Sequence, residues 1–218
     1  MNTLRVLRPF SIAYNYMIRA WGKLVKEPYN KSRLGYCGKS VSIRNPRNVS
    51  SLSNVYMYDN TDLGDGFVFM SHGGKFIMKK DSGASTRLTV ITGNHERAIG
   101  EQFKVNNRVV AKNDIEKDII VEEDVWLGAN VTLCSGVTIG RSANVGAGSV
   151  VRNNIPPYAI VMGNPAKVVG FCFTPKEIIQ HELALYPEEE RLPFDLLEKN
   201  YQKYFLKRIK EIKEYTRL

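Results

Sequence analysis

The first residue in this chain that could do chemistry is a histidine beside a break in an otherwise regular pattern. His95 stands in Thr92-Gly93-Asn94-His95-Glu96, directly before the irregular run RAIGEQFKVNNRVVAKNDIEK. A free imidazole titrates near a pKa of about 6.5, so it can take a proton from a hydroxyl close to neutral pH and return it to a leaving group. Glu96 either orients that imidazole or is solvated. His72, in MSHGGKF, either lines an acceptor pocket or occupies a glycine-rich turn, and His181 falls in a helical pattern near the C-terminus. With three histidines in all, one of them in that terminal segment, a three-histidine zinc site is not expected and no metal is assigned. Cys37, Cys134 and Cys172 are widely spaced and form no CxxC pair. Nothing near Cys134 in sequence supplies a base, so a nucleophilic thiol is not expected, and the cysteine pattern fits a reducing compartment.

The element that must hold His95 follows from a period of six. From Val121 the chain divides into VEEDVW, LGANVT, LCSGVT, IGRSAN, VGAGSV and VRNNIP. Each first position is aliphatic: Val121, Leu127, Leu133, Ile139, Val145 and Val151. Each fifth is small or apolar: Val125, Val131, Val137, Ala143, Ser149 and Ile155. Neither a helix nor a simple alternating strand has this period. A solenoid of short parallel strands does, with first residues stacked inward and glycines at the tight corners. Upstream the pattern is looser: Ile43, Val49 and Val55 keep the six-residue step, and Phe76 and Leu88 suggest further coils. The run from Arg97 to Lys117 has no such period and reads as an excursion from the solenoid.

Two appendages flank the coils. Leu7, Phe10, Tyr14, Met17, Trp21 and Leu24 have helical spacing, which predicts an N-terminal amphipathic helix capping the open solenoid end or packing on a face. Thr174-Pro175-Lys176-Glu177 is a capping box that predicts a helix to about Leu185, with a second helix after Pro193. Together these helices are expected to cover the last coil's open edge. The net charge of +9 is concentrated at the start, where ten Lys or Arg precede Ser51 against the single acid Glu27. Such a head suits a solvated helix face or an anionic surface such as a membrane, and nucleic acid is not assigned as a partner. No apolar stretch approaches the ~20 residues needed to cross a bilayer. The first segment reads as mature protein, so the expected location is cytoplasmic.

From Val125 to Phe171 the sequence resembles the hexapeptide-repeat acyltransferases. It is most similar to the galactoside and maltose O-acetyltransferases and their relatives that modify surface polysaccharides. The resemblance extends more weakly to Thr92-Gly93-Asn94-His95 and does not cover residues before about Gly35 or after Thr174. It implies a left-handed parallel β-helix, so that with the elements read above the expected fold is mainly β: a β-helix over 35–173 with an excursion at about 97–117, flanked by the N-terminal helix and linker (1–34) and C-terminal helices (174–218). It further implies a homotrimer that binds acetyl-CoA between subunits without metal, with His95 as the catalytic base. The family's cofactor contacts fall on Ala129, Ala147, Arg152, Asn153 and Lys167, and His72 and Glu96 are candidates for the acceptor side. A saccharide hydroxyl is the expected acceptor. An amino group of a nucleotide-linked sugar, the hydroxyl of serine, and a non-catalytic binding solenoid are the alternatives.

Overall fold

The computed structural model describes residues 3–95, 99–100, 102, 104–105, 108–109, 115–206 and 209, so Glu96 and Arg97 lie outside the described residues. Its body is a three-sided parallel β-helix. One face stacks Tyr36–Cys37, Val55–Met57, Phe76–Met78, Ile119–Val121 and Thr138–Ile139. The second stacks Ser42–Ile43, Asp62–Leu63, Gly83–Ala84, Trp126–Leu127, Asn144–Val145 and Ala159–Met162. The third stacks Asn48–Val49, Val68–Met70, Thr89–Ile91, Thr132–Leu133 and Val150–Val151. Parallel neighbours in such a stack lie about 4.8 Å apart, which sets the spacing between coils.

The period predicts the core correctly. Val121, Leu127, Leu133, Ile139, Val145 and Val151 are each at most 1% exposed, and the six fifth-position residues are buried beside them. Burial on this scale contributes roughly 1.5–3 kcal/mol for each larger aliphatic side chain, repeated in every coil. The second-position glycines act differently from expectation. A Cβ on Gly128 would lie 2.6 Å from the Ala147 nitrogen, and one on Gly140 2.5 Å from the Pro157 nitrogen. They permit close approach of the next coil's backbone. The left-handed corner conformations fall instead on Asp124, Asn130, Gly136, Ser142 and Gly148.

Upstream, the coil is longer than the downstream period. Strand register aligns Ile43 with Leu63, Leu63 with Ala84, and Ala84 with Leu127, which in turn pairs with Val145. The buried column therefore runs through Met57, Leu63, Phe69, Met78, Ala84 and Val90. Val55, Phe76 and Leu88 are buried as predicted, but at positions equivalent to the fifth of a hexapeptide. The extra residues collect at one corner, between the third face and the first. Val49 to Met57 is eight residues, Phe69 to Met78 is nine, and Val90 to Val121 is thirty-one, where Leu133 to Ile139 is six. The wider early coils are filled by Phe67, Phe69 and Phe76, with Phe67 ring centroids 6.3 and 5.8 Å from the other two. The excursion rises from this same corner. Its base is an antiparallel pair, Gly93–Asn94 with Ile115–Glu116, so the departure begins before Arg97. Lys104–Val105 pairs with Arg108–Val109 farther out.

At the C-terminal end the expected helix α3 (Pro175–Leu185) forms with its capping box: the Thr174 hydroxyl accepts from the Glu177 amide and the Glu177 carboxylate from the Thr174 amide. On the second face the last coil's open edge is closed by a strand, Lys167–Phe171, folded antiparallel onto Ala159–Met162. The second helix, α4 (Phe194–Tyr204), packs on that strand, with Tyr201 and Phe171 ring centroids 5.4 Å apart. Glu182 ties α3 to the coils. Fully buried, it accepts from the Tyr158 hydroxyl at 2.6 Å, from Arg141 at 3.0 Å and from the Leu192 amide at 3.0 Å. Burial and that contact push the Tyr158 phenol up.

The N-terminal helix forms over Thr3–Trp21 and continues through Gly22–Lys26 and Glu27–Ser32. Its expected packing is not found: Phe10, Tyr14, Met17, Trp21 and Leu24 are all exposed. The side that approaches the first coil is the polar one, which leaves the apolar stripe pointing outward.

Candidate active site

His95 follows the third-face strand Thr89–Ile91 and stands, exposed, at the foot of the excursion. His72 follows the preceding coil's strand, Val68–Met70, and the two imidazole centroids are 6.3 Å apart. His72 thus occupies a glycine-rich turn, and that turn adjoins His95. His181 is half-buried between Tyr158 and Phe173, with centroids 5.9 and 5.2 Å away, which is a packing role.

The turn and the excursion are fastened by side chains that no motif in the sequence marks. Glu116, on the returning limb, accepts from the Thr92 hydroxyl at 2.7 Å, the Gly74 amide at 3.0 Å and the His72 amide at 3.2 Å. Partial burial pushes the Glu116 carboxyl up, but these three donors and the charge of His72 together hold it below the usual carboxylate range. Asp118 accepts from the Lys75 amide at 2.8 Å. The Thr92 carbonyl takes the Lys117 amide at 3.1 Å and also the Ser135 hydroxyl from the next coil. Ser71 closes its own turn by donating to the Gly74 carbonyl at 2.7 Å. Gly74 and Gly93 must be small here: a Cβ on the first would sit 2.7 Å from Thr92 Cβ, and one on the second would collide with the Glu116 carboxylate. The clue in the sequence is the corner itself, since each break in the six-residue step before Leu133 falls where His72 or His95 or its equivalent turn lies.

The residues implied for the cofactor fall at the two edges of the third face and on the returning strand. Ala129 and Ala147 stack on adjacent coils at the corner between the second and third faces, joined by the Gly148 amide donating to the Ala129 carbonyl at 2.8 Å. Ala129 is half-buried and Ala147 exposed. Arg152 and Asn153, also exposed, follow the third-face strand Val150–Val151. Their strand lies two places along the third face from the one that leads to His95, and those two strands are about 10 Å apart at the usual spacing. Lys167 is exposed at the start of the returning strand, and the next-door Ala166 amide donates to the Val150 carbonyl at 2.9 Å. Ala129 and Ala147 thus meet each other, as do His72 and His95, with the third face between the two pairs. Burial pushes the Cys134 thiol up against the opposing pull of Arg152, which disfavours a thiolate nucleophile there. Trp126 is 52% exposed on the second face, its ring against Gly83. Among the described residues no group of three His, Cys, Asp or Glu side chains is placed to hold a metal ion.

Stacked hexapeptides with an excursion at one corner define a class. Residues 118–153 match the family described as bacterial transferase hexapeptide (six repeats). Those residues carry the hexapeptide repeat that the family describes, and the solved structures that share the fold are left-handed parallel β-helices. The chain is similar to a probable macrolide acetyltransferase of Lysinibacillus sphaericus, 33% identical over 112 residues, which is 51% of this chain and 61% of that one. The match thus spans about three fifths of that relative's length. Among solved structures it resembles a hexapeptide-repeat acetyltransferase of Vibrio cholerae complexed with acetyl coenzyme A, 26% identical with a TM-score of 0.58, covering 66% of this chain and 74% of that one. A galactoside acetyltransferase in complex with coenzyme A shares the fold at 20% identity and a TM-score of 0.57, covering 75% of each chain.

Proposed function

We propose that this protein is a cytoplasmic acetyltransferase that moves an acetyl group from acetyl-CoA to a saccharide hydroxyl, with His95 as general base, in a homotrimer whose subunits share the CoA groove. The observation that carries the reading is an exposed imidazole, anchored at the foot of the excursion, on the same solenoid face as the Ala129 and Ala147 pair. The acetyl coenzyme A held by the Vibrio relative supports the donor.

In this reading pantetheine lies against the small Ala129 and Ala147 corner, where backbone is accessible, and Arg152, Asn153 and Lys167 meet the nucleotide and its phosphates. The imidazole of His95 removes the acceptor's hydroxyl proton as the oxygen bonds to the thioester carbon. Collapse of the tetrahedral adduct breaks the C–S bond, and the imidazolium returns its proton to the CoA thiolate. No acyl-enzyme is needed. Glu116 acts on position: by clamping the His72 turn to the excursion's base it fixes the ground on which His95 stands.

His95→Ala is expected to abolish turnover while leaving CoA affinity and subunit count unchanged. Near-normal thiol release by that variant overturns the proposed base. The relative's name favours one second acceptor, a macrolide hydroxyl. Thiol release measured across saccharides, nucleotide-linked amino sugars, serine and macrolides separates these acceptors, and activity confined to an amine rejects O-acetylation.

A further inference from the structure

We infer that the N-terminal helix is an interfacial anchor that lays its apolar stripe into an anionic lipid surface. Phe10, Tyr14, Met17, Trp21 and Leu24 recur at alternating steps of four and three, and they are 71, 58, 63, 57 and 73% exposed. A helix that served its own core would turn that stripe inward. Here the helix is exposed on both sides, and it is the opposite side, with Arg19, Lys23 and Lys26, that faces the first coil across a groove of about 560 Å³ lined also by Ile18 and Ser42–Asn45, so the apolar stripe points away from the β-helix.

The composition identifies the occupant. The stripe mixes Trp, Tyr and Phe with aliphatic residues, the amphipathic aromatics favoured at the level of lipid headgroups. With Ala13, Ala20 and Val25 beside it, the apolar arc is wider than the narrow seam by which helices of identical chains supercoil. Every surplus positive charge in the protein lies at this end, ten Lys or Arg against Glu27, and Glu27 is paired with Lys31 at 3.1 Å. Arg33, Lys39 and Arg47 of the linker and first coil are exposed as well, as is Arg44, which pairs with Asp62 at 2.9 Å. This is the charge complement of an acidic leaflet. No helix among the described residues is long and apolar enough to cross a membrane, so the helix lies in the surface plane.

The test is sedimentation of the full chain with phosphatidylglycerol or phosphatidylcholine vesicles, beside the triple variant Phe10→Ser, Trp21→Ser, Leu24→Ser. The native chain is expected to partition onto phosphatidylglycerol at low salt and to lose roughly tenfold or more in affinity on phosphatidylcholine or at high salt. The variant is expected to lose at least as much while light scattering gives an unchanged subunit count. Equal vesicle binding by variant and native chain, or no binding by the native chain, overturns the inference. A lowered subunit count in the variant also overturns it, by assigning the stripe to a second copy of this chain.

Discussion

Replacing Glu182 with leucine tests whether one buried carboxylate holds the C-terminal helices to the β-helix. The two side chains are similar in size, so the change removes charge and acceptors without opening a cavity. Three donors lose their partner: the Tyr158 hydroxyl, the Arg141 guanidinium and the Leu192 amide. A buried hydroxyl left unpaired costs about 1–3 kcal/mol, and breaking a buried ion pair about 3–5 kcal/mol. The terms overlap, and Arg141 keeps Glu123 at 3.4 Å and the Glu190 carbonyl at 2.8 Å. The net expectation is the low end, about 3 kcal/mol. Glu182→Gln retains an acceptor oxygen and should cost about half that, on the order of the difference between a charged and a neutral hydrogen bond. Urea unfolding at fixed protein concentration reads the effect. With a slope of about 2 kcal/mol/M, the leucine variant's midpoint should fall by about 1.5 M. A leucine variant within about 0.5 kcal/mol of the native protein, or a glutamine variant as damaged as the leucine one, refutes the argument.

Leu133→Ala, in the middle of the inward column, should lower unfolding free energy by about 2–5 kcal/mol in the same assay. Ala147→Phe should leave stability unchanged, because the site is exposed, and raise the KM for acetyl-CoA at least about tenfold by steric block. Glu116 has a depressed carboxyl, so its stabilising contribution is complete above the ordinary carboxylate value of about 4.3 and is lost as pH falls through the depressed folded value. Amide exchange at His72 and Gly74, measured against pH, should accelerate across that acid range. Glu116→Gln should remove much of this acid dependence and lower kcat with little change in the KM for acetyl-CoA.

The regular half of the fold was legible because its physics is local and repetitive. An aliphatic residue at Val121 must point inward if Leu127 and Leu133 do, and the strand spacing stacks them without further information. The early coils were harder to read. Met57, Phe69 and Met78 fill the same column, but residues added at one corner hide the period from a six-letter frame. The helix after Thr174 was readable from its capping box, whereas the closing of the last coil was not, since an antiparallel return of Lys167–Phe171 leaves no periodic mark. His95 stood out by its place before the break. Glu116 did not, because it lies within the aperiodic run, and its three partners come from segments 24 to 44 residues away. The outward-facing apolar stripe of the first helix was misread for a related reason. Amphipathic spacing reports that a stripe exists and is silent on which neighbour covers it.

The long insertion leaves no trace in the strand register. Met78 meets Val121, and Val90 meets Leu133, as though the residues between had never departed. Loop closure grows only with the logarithm of length, so lengthening the stretch between His95 and Ile115, which leaves the Thr92, Glu116 and Asp118 contacts in place, makes little demand on the prism. Under the proposed reading, donor handling and acceptor choice fall on different elements of this architecture. A graft of residues 97–114 from a relative, which keeps His95 and Glu116, should transplant preference for the nucleophile while the Ala129 and Ala147 corner continues to serve the same thioester.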